Sequence, residues 1–276
     1  MMRKLIMSCI ILSIIFLFNC KADNNLTINN PAEIKSIKIF SENVKDTFVI
    51  DISLPESYFE NADQSFPVLY MTDGYWRRGQ HNPIHEMAKR GNVKELIIVG
   101  IGYPESYNPD SIRVRDLIVR ADLFLDFIIK ELIPYIDKNY RTNNERTLWG
   151  SSFGGFFGMY VLFNYEEKTK GIFQNYIIAS PAAKEKTYYK GEYLDLFDLE
   201  KILNSKTQEI NANLYITVGG DEEPVRFLNP FKELIKILEE RDYKNFYMKS
   251  FINPGKDHYT VWEPTLYEGI RLFLSK

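Results

Sequence analysis

The stretch that decides the fold is Thr147–Gly155, which reads TLWGSSFGG. It joins an apolar strand pattern to an apolar helical pattern over Phe156–Phe163, and its centre fits G-x-S-x-G around Ser152. A serine on such a tight strand-to-helix turn takes a strained backbone conformation, and small flanking residues prevent clashes. We therefore interpret Ser152 as a candidate nucleophile. The alternatives are a glycine-rich turn that only packs a helix against a strand, and Ser151, which lacks glycines two residues away on either side.

Short apolar runs lie on both sides of this turn and predict strands. Two segments that alternate apolar and polar residues, Ile34–Phe40 and Thr47–Leu54, predict a half-buried hairpin at a sheet edge. More continuous apolar runs predict parallel strands that are covered on both faces. These runs are Pro67–Met71, Leu96–Ile101, Thr147–Trp149, Tyr176–Ala179 and Leu214–Val218, and Asn245–Phe251 is the last predicted strand.

Longer segments with helical spacing separate the strands. They are Ala121–Asn139, with a kink expected near Pro134, then Phe153–Tyr165, Asn229–Arg241 and Thr260–Leu274. Strands that alternate with helices imply a parallel sheet with helices on both faces. The predicted fold class is therefore α/β, with a mostly parallel central sheet and an antiparallel N-terminal edge.

A serine hydroxyl becomes an effective nucleophile when a histidine accepts its proton and a carboxylate orients that histidine. The chain has three histidines, and only His258 follows Ser152. It lies in a loop just before the last predicted helix. Where a serine stands on such a turn, the order along the chain is serine, acid, histidine. We therefore predict that His258 is the base.

Three adjacent carboxylates follow the predicted strand Leu214–Val218 and are candidates for the orienting acid. We favour Glu222, with Asp221 as the alternative. Glu223 fits a role at the N-terminus of the next helix. Asp257, beside the histidine, is expected to point to solvent.

An oxyanion hole needs two backbone N–H groups that point at the developing negative charge. Phe153, directly after the candidate nucleophile, is predicted to supply one. The loop after the strand Pro67–Met71 is predicted to supply the other from Tyr75, with Gly74 allowing a close approach to the substrate.

The N-terminal residues have the pattern of an export signal. Arg3 and Lys4 precede an apolar run, Leu5–Phe18, that is short for a transmembrane helix. The run leads to Cys20, as in a bacterial lipoprotein signal. We predict a signal peptide over 1–20, lipidation of Cys20, a flexible tether over 21–33 and a folded domain over 34–276. The protein would then be exported and anchored in the cell envelope or periplasm by its lipid. The alternative is cleavage nearby with Cys20 incidental.

Composition excludes several other classes of site. A formal net charge of −3 gives no electrostatic reason to expect a nucleic-acid partner. Both cysteines, Cys9 and Cys20, lie in the N-terminal segment, so the folded part has no disulfide and no thiolate site. His81 and His85 are four residues apart, but Pro83 and the lack of a third ligand argue against zinc. We expect no metal and no cofactor, and a structural or cleft-lining role for both histidines.

Three motifs resemble a known family. Pro67–Gly74 (PVLYMTDG), Glu131–Arg141 (ELIPYIDKNYR) and Thr147–Gly155 are similar to the putative-esterase family of α/β-hydrolases. That family includes siderophore-trilactone esterases, feruloyl esterases, S-formylglutathione hydrolase and the antigen 85 mycolyltransferases. The resemblance runs from about Ile34 to the C-terminus, and it implies an α/β-hydrolase fold and serine ester hydrolysis.

The resemblance also extends to single positions. Asp73-Gly74, Glu222 and Pro254-Gly255 with His258 match residues that members of the family often carry. Two departures are visible. One extra residue precedes the histidine, and Ser151 replaces a histidine that is common before the nucleophile.

The substrate side of the site is less specific. Asp73, Gly74 and Trp76 lie in the predicted oxyanion loop, Arg77 and Arg78 follow it, and Arg113 and Arg115 follow the strand Leu96–Ile101. Arginines at this edge of the sheet would suit an anionic substrate such as a ferric catecholate. The alternative is ordinary surface charge, with Asp116 and Glu105 as partners.

These residues favour a carboxylic ester hydrolase that uses an acyl-enzyme, and the resemblance implies siderophore trilactones or other small-molecule and glycan esters as substrates. A feruloyl or acetyl carbohydrate esterase is one alternative, and acyl transfer at the same site is another. A non-catalytic binding lipoprotein is the third, although it would not need Ser152, Glu222 and His258 together.

Overall fold

The computed structural model describes residues 33–276, and the first strand begins at Lys35. The predicted signal peptide over 1–20 and the lipidation site Cys20 lie outside the described residues. The predicted tether over 21–33 overlaps them only at its last residue. These three statements stay predictions.

An eight-stranded sheet organises the described residues, and a separate two-stranded hairpin lies outside it. In chain order the strands are Lys35–Ser41 (β1), Asp46–Ser53 (β2), Phe66–Met71 (β3), Ile97–Gly102 (β4), Thr142–Ser151 (β5), Asn175–Ala179 (β6), Thr187–Tyr189 (β7), Glu192–Leu194 (β8), Glu209–Gly219 (β9) and Lys244–Asn253 (β10). The order across the sheet is β1-β2-β4-β3-β5-β6-β9-β10, and β7 pairs with β8.

The pairing directions confirm the predicted fold class. β1 pairs with β2 and β2 pairs with β4 in antiparallel directions, with Ile37 opposite Ile50. All the other neighbours in the large sheet are parallel. The C-terminal ends of β3, β5 and β9 therefore meet at one edge of the sheet, where α/β proteins bind their ligands.

Helices cover both faces of the sheet. They are Ser57–Glu60 (α1), Gly74–Arg77 (α2), His81–Lys89 (α3), Pro109–Arg113 (α4), Ala121–Phe127 (α5), Ile133–Asn139 (α6), Phe153–Phe163 (α7), Leu196–Lys206 (α8), Asn229–Arg241 (α9) and Trp262–Phe273 (α10). Wider π-type turns occupy Val114–Val119, Ile128–Leu132, Tyr165–Thr169 and Pro224–Leu228.

Two hydrophobic cores lie on opposite faces of the sheet, because successive strand residues point to opposite sides. On β3, Val68 and Tyr70 belong to the larger core, whereas Leu69 and Met71 belong to the smaller one. Helices α5 to α9 pack into the larger core, and α3 and α10 pack into the smaller one. Continuous apolar strands are the sequence signature of this double coverage.

The long helix predicted over 121–139 is interrupted, as its proline indicated. Helix α5 ends at Phe127, a π-type turn follows over Ile128–Leu132, and α6 begins at Ile133. Pro134 has no N–H for the helical hydrogen bond, and its ring displaces the preceding turn. The hairpin β7–β8 and the helices α3 and α8 were not predicted. No helix within residues 33–276 is both long and apolar enough to cross a bilayer.

Candidate active site

Ser152 lies on a strained turn between β5 and α7. Its backbone has φ 58° and ψ −115°, a conformation that few residues other than glycine adopt. A Cβ atom at Gly150 would lie 2.0 Å from the carbonyl oxygen of Gly154, so the turn cannot form with a larger residue there. The Ser152 N–H donates to the carbonyl oxygen of Ala179 on β6 at 3.0 Å, which fixes the turn to the sheet.

His258 lies between Ser152 and Glu222. Its Nε2 atom is 2.9 Å from the Ser152 hydroxyl oxygen, and its Nδ1 atom is 2.8 Å from Oε2 of Glu222. The three side chains come from the end of β5, the loop after β9 and the loop between β10 and α10. The sheet therefore brings together the three residues that the sequence singled out, in the order serine, histidine, carboxylate.

Glu222 is held on several sides. It is 4% exposed, its Oε1 accepts the N–H of Gly219 at 2.8 Å, and the Ser180 hydroxyl also donates to Oε1. These bonds leave Oε2 free to accept from His258, so the carboxylate has one orientation. Sequence reasoning missed Ser180, which follows β6 with φ 45°. Its only sequence signal is its place at a strand end on the same edge of the sheet.

The neighbouring carboxylates have other partners. Asp221 is exposed, so its place as alternative acid is not supported by geometry. Glu223 accepts the N–H groups of Val225 and Arg226, which is the helix-terminal role that the sequence indicated. Asp257 is exposed and accepts the Thr260 hydroxyl, as expected for a residue that points to solvent.

An aromatic ring supports the imidazole. The Phe227 ring stacks on His258 with centroids 4.0 Å apart, and Tyr259 meets it edge-on at 5.7 Å. Phe227 is 6% exposed, so its ring is held by the surrounding protein and packs against one face of the imidazole. Sequence reasoning missed Phe227, because it lies in a π-type turn far from His258 in the chain.

The Phe153 N–H follows Ser152 directly in the chain, and the Tyr75 N–H belongs to the segment that touches the turn of Ser152. Phe153 is the first residue of α7 and Tyr75 is the second residue of α2, so neither N–H has an acceptor within its own helix. The two segments touch, because a Cβ atom at Gly154 would lie 2.3 Å from the Thr72 hydroxyl oxygen and 3.2 Å from Oδ2 of Asp73. This arrangement is compatible with the predicted pair of oxyanion donors.

Gly74 has a packing role in the structure. A Cβ atom there would lie 2.6 Å from the carbonyl carbon of Gly100 on β4. Gly74 therefore permits close packing of α2 against the sheet, and the close approach to a substrate that the sequence indicated stays a prediction.

Asp73 and Arg113 form a buried ion pair beside the Tyr75 loop. Arg113 donates to both carboxylate oxygens of Asp73, at 2.5 and 2.9 Å, and the two side chains are 12% and 4% exposed. Burial alone would lower the pKa of Arg113, but the Asp73 carboxylate outweighs burial and holds that pKa above its usual value. Arg113 therefore stays protonated, and both oxygens of the Asp73 carboxylate hold its guanidinium.

This pair connects the two segments that carry the candidate oxyanion donors. The Arg113 guanidinium lies 4.8 Å from the Trp76 ring and 5.4 Å from the Phe153 ring. Asp73 has φ 60°, and the carbonyl of the same residue accepts the N–H groups of Trp76 and Arg77. Asp73 and Arg113 were predicted to contact substrate. That contact stays a prediction, and the ion pair between the two side chains gives them a role in holding the loop in place.

Two more of the predicted substrate arginines are engaged by carboxylates. Arg78 bonds to Asp51 on β2, and Arg115 bonds to Asp46 at 2.5 Å and to Asp116 at 2.7 Å. The alternative of ordinary charge pairing therefore holds for both, with Asp116 as the predicted partner. Within residues 33–276, Glu105 forms no such pair. Arg77 differs and stacks on the Trp262 ring at 3.8 Å.

His81 and His85 are structural. The Ser53 hydroxyl lies 2.7 Å from Nδ1 of His81 and 2.8 Å from Nε2 of His85. Burial lowers the pKa of His81 to about 3 and that of His85 to about 4, so both are neutral at pH 7. No cluster of three or more potential metal ligands occurs in the described part of the chain.

Comparison with known proteins places this geometry in a family. The model of the family described as "Putative esterase" matches residues 41–273. No curated protein sequence matches the chain. The fold is similar to that of the BES protein from Bacillus cereus, with a TM-score of 0.73, 25% identity, and coverage of 91% of this chain and 100% of the other.

Two further solved structures share the fold. The IroE-like serine hydrolase from Shewanella oneidensis has a TM-score of 0.72 and 24% identity, with 87% of this chain and 80% of the other covered. The siderophore hydrolase EstB from Aspergillus nidulans has a TM-score of 0.71 and 21% identity, with 91% and 98% covered. With the family match over most of its length, the chain belongs to the putative-esterase family of α/β-hydrolases and is a carboxylic ester hydrolase.

Proposed function

We propose that Ser152, His258 and Glu222 form the catalytic triad of this esterase. The observation that carries the proposal is the pair of hydrogen-bond distances at His258, 2.9 Å to the serine and 2.8 Å to the glutamate. In the first step, Oγ of Ser152 attacks the ester carbonyl carbon while Nε2 of His258 takes the hydroxyl proton. The resulting tetrahedral oxyanion accepts the N–H groups of Phe153 and Tyr75.

The same groups complete the reaction. Collapse of the intermediate breaks the bond to the alkoxy group, and His258 gives its proton to the leaving alcohol, which leaves an acyl group on Ser152. Water then attacks the acyl-enzyme with His258 as base, and the acid product leaves. Glu222 keeps Nδ1 of His258 protonated and stabilises the imidazolium that forms in each step.

The substrate proposal rests on a structural similarity and on two exposed aromatic rings. We propose siderophore trilactones first, because a structurally similar protein is a siderophore hydrolase. The Tyr75 and Trp76 side chains beside the Ser152 turn are 58% and 43% exposed, so their rings are available to aromatic substrate groups. Feruloyl or acetylated sugars are the alternative, and an alcohol in place of water would make the same site an acyltransferase. A panel of ferric trilactones, feruloylated sugars and acetylated sugars separates these substrates by kcat/KM.

Kinetics of Ser152→Ala test the triad. We expect the residue 33–276 domain to hydrolyse p-nitrophenyl acetate or butyrate, and the variant to lose about four to six orders of magnitude in kcat. Ser151→Ala is the matched control, since Ser151 is the neighbouring hydroxyl without a histidine partner. Normal turnover by a folded Ser152→Ala protein would contradict the proposal.

We also propose that Cys20 is lipidated and anchors an exported protein to the cell envelope. The support is the sequence alone, an apolar run that leads to Cys20. The protein of residues 1–276 expressed in a bacterium should incorporate a labelled fatty acid, whereas Cys20→Ala should not. Equal incorporation by both proteins, or none by the wild type, would contradict the anchor.

A further inference from the structure

Arg77 is in a different electrostatic state from the arginines around it. Arg78, Arg113 and Arg115 each have a carboxylate oxygen within ion-pair distance. In the described part of the chain, no carboxylate forms an ion pair with Arg77. Its Nε atom is buried and has no hydrogen-bond partner. The guanidinium instead stacks on the Trp262 ring, 3.8 Å from the ring centroid.

Arg77 lies between the segments that carry the proposed chemistry. It follows Tyr75 by two residues on α2, and Trp262 follows His258 by four residues at the start of α10. Its backbone N–H is bonded to the carbonyl oxygen of Asp73, so the helix that bears it is fixed to the oxyanion loop. The stacked pair therefore joins the segment that carries the candidate oxyanion donor Tyr75 to the segment that follows His258.

The charged guanidinium of Arg77 is not fully stabilised by its surroundings. Burial, together with the positive charge of Arg113, lowers the pKa of Arg77, and the attraction of Asp73 does not compensate. A half-buried guanidinium without a carboxylate loses hydration that it does not recover from the protein. An anionic oxygen group on a ligand would supply the missing hydrogen bonds, and stacking on Trp262 already holds the planar fork that binds such groups.

We propose that Arg77, held against Trp262, forms a subsite for a carboxylate or another planar anionic oxygen group of the ester substrate. The inference rests on the proposed function, since it concerns selectivity at the Ser152 site. Of the four arginines that the sequence predicted on the substrate side, this proposal selects Arg77, whose charge is not paired with a carboxylate in the described residues. The enzyme should therefore prefer esters that carry an anionic ring substituent over their neutral isosteres.

Matched ester pairs test this preference. The substrates are 4-acetoxybenzoate against 4-acetoxybenzamide, with the corresponding 3-isomers to vary the distance between the charge and the ester. The measured quantity is the ratio of kcat/KM for the anionic ester to that for its neutral isostere. Arg77→Met keeps the apolar stem on Trp262 and removes the charge, and Arg77→Lys keeps the charge without the fork. Arg78→Met removes the neighbouring charge, which is bound to Asp51.

We expect the wild-type ratio to exceed that of Arg77→Met by about tenfold or more, the range for a hydrogen bond to a charged group. Arg77→Lys should give an intermediate ratio, and Arg78→Met should keep the wild-type ratio. Equal ratios in wild type and Arg77→Met, or an equal fall in Arg78→Met, would overturn the subsite. Circular dichroism confirms the fold of each variant, and if Arg77→Met does not fold, the Arg77→Lys ratio decides.

A second measurement does not depend on which side of the ester carries the charge. Benzoate should inhibit hydrolysis of p-nitrophenyl acetate competitively and more strongly than benzamide, and Arg77→Lys should weaken that difference. Equal inhibition by benzoate and benzamide in the wild type would also overturn the subsite. Failure of the proposed function is a separate result, namely no Ser152-dependent hydrolysis of p-nitrophenyl acetate at all.

Discussion

Within residues 33–276, a histidine nitrogen lies within hydrogen-bond distance of a serine hydroxyl in two places, and these places differ in what surrounds them. At the sheet edge, His258 is 2.9 Å from Ser152 and 2.8 Å from Glu222. On α3, His81 is 2.7 Å from Ser53, which also bonds to His85. Ser53 and His81 are fully buried, whereas Ser152 and His258 are partly exposed.

The difference bears on the proposed triad, because a serine–histidine hydrogen bond alone does not activate the serine. A carboxylate on the far nitrogen stabilises the imidazolium that forms when the serine loses its proton. His258 has Glu222 there, whereas Nε2 of His81 has no partner and its environment lowers the pKa to about 3. Ser53 also has no route to a substrate. The buried pair is therefore a packing element, and only the edge pair can work as nucleophile and base.

Replacement of the two histidines should give the largest contrast. His258→Ala removes the imidazole whose Nε2 atom is 2.9 Å from the Ser152 hydroxyl, so we expect kcat to fall by about four to six orders of magnitude. His85→Gln should leave kcat within about twofold, since His85 contacts Ser53 and no part of the site. Steady-state hydrolysis of p-nitrophenyl butyrate measures both. Comparable losses in the two folded variants would contradict the contrast.

The carboxylate should have the next largest effect. Glu222→Gln keeps the shape of the side chain but removes the charge that stabilises the imidazolium, so kcat should fall by about two to four orders of magnitude. Asp221→Asn is the matched control, because Asp221 is exposed and adjacent in the chain. A larger loss for Asp221→Asn than for Glu222→Gln would make Asp221 the acid after all.

The Asp73–Arg113 pair should matter less, because it acts through position. Arg113→Met frees the loop that carries Tyr75, and we expect kcat to fall about ten- to a hundredfold with a smaller change in KM. Arg113→Lys keeps a charge near Asp73 and should recover part of the loss. A change confined to KM would indicate that Arg113 contacts the substrate instead.

Replacement of His81 or His85 should have the smallest effect on turnover. These two histidines should instead affect the pH dependence of the protein's stability. The pKa values of His81 and His85 are about 3 and about 4 in the folded protein and near 6.5 when unfolded, so the unfolded chain binds more protons below pH 6.5. Stability from the neutral pair is complete above pH 6.5 and is lost as the pH falls towards 4.

Melting temperatures at pH 7 and pH 4.5 measure that loss. We expect Tm to fall by roughly 5 °C or more in the wild type between these values, and by less in His85→Gln. Other groups titrate in the same range, so the comparison between the two proteins carries the result. An equal fall in both would mean that His85 does not contribute.

Much of the edge site was predictable from the sequence, because strand ends are marked by pattern. Ser152 follows an apolar strand and is flanked by glycines, and His258 is the only histidine after it. The choice of Glu222 over Asp221 and Glu223 needed the structure for support, because three adjacent carboxylates look alike until burial separates them. Parallel pairing then brings the strand ends together.

Other features were not accessible from the sequence, because they depend on contacts between distant segments. Ser180 and Phe227 support Glu222 and His258, but neither lies in a motif. The sequence does not distinguish the four arginines near the site. The structure does, because three of them form ion pairs with carboxylates and Arg77 does not in the described residues. Similarly, the sequence indicated close approach at Gly74 but not that the neighbour is β4.

Covalent labelling tests the central claim most directly, namely that the edge serine is activated and the buried one is not. A fluorophosphonate should add one equivalent to the wild-type protein, with the adduct found by peptide mass spectrometry on the peptide that contains Ser152. His258→Ala should label far more slowly. An adduct on any other serine, or ester hydrolysis that persists while Ser152 stays unmodified, would contradict the account.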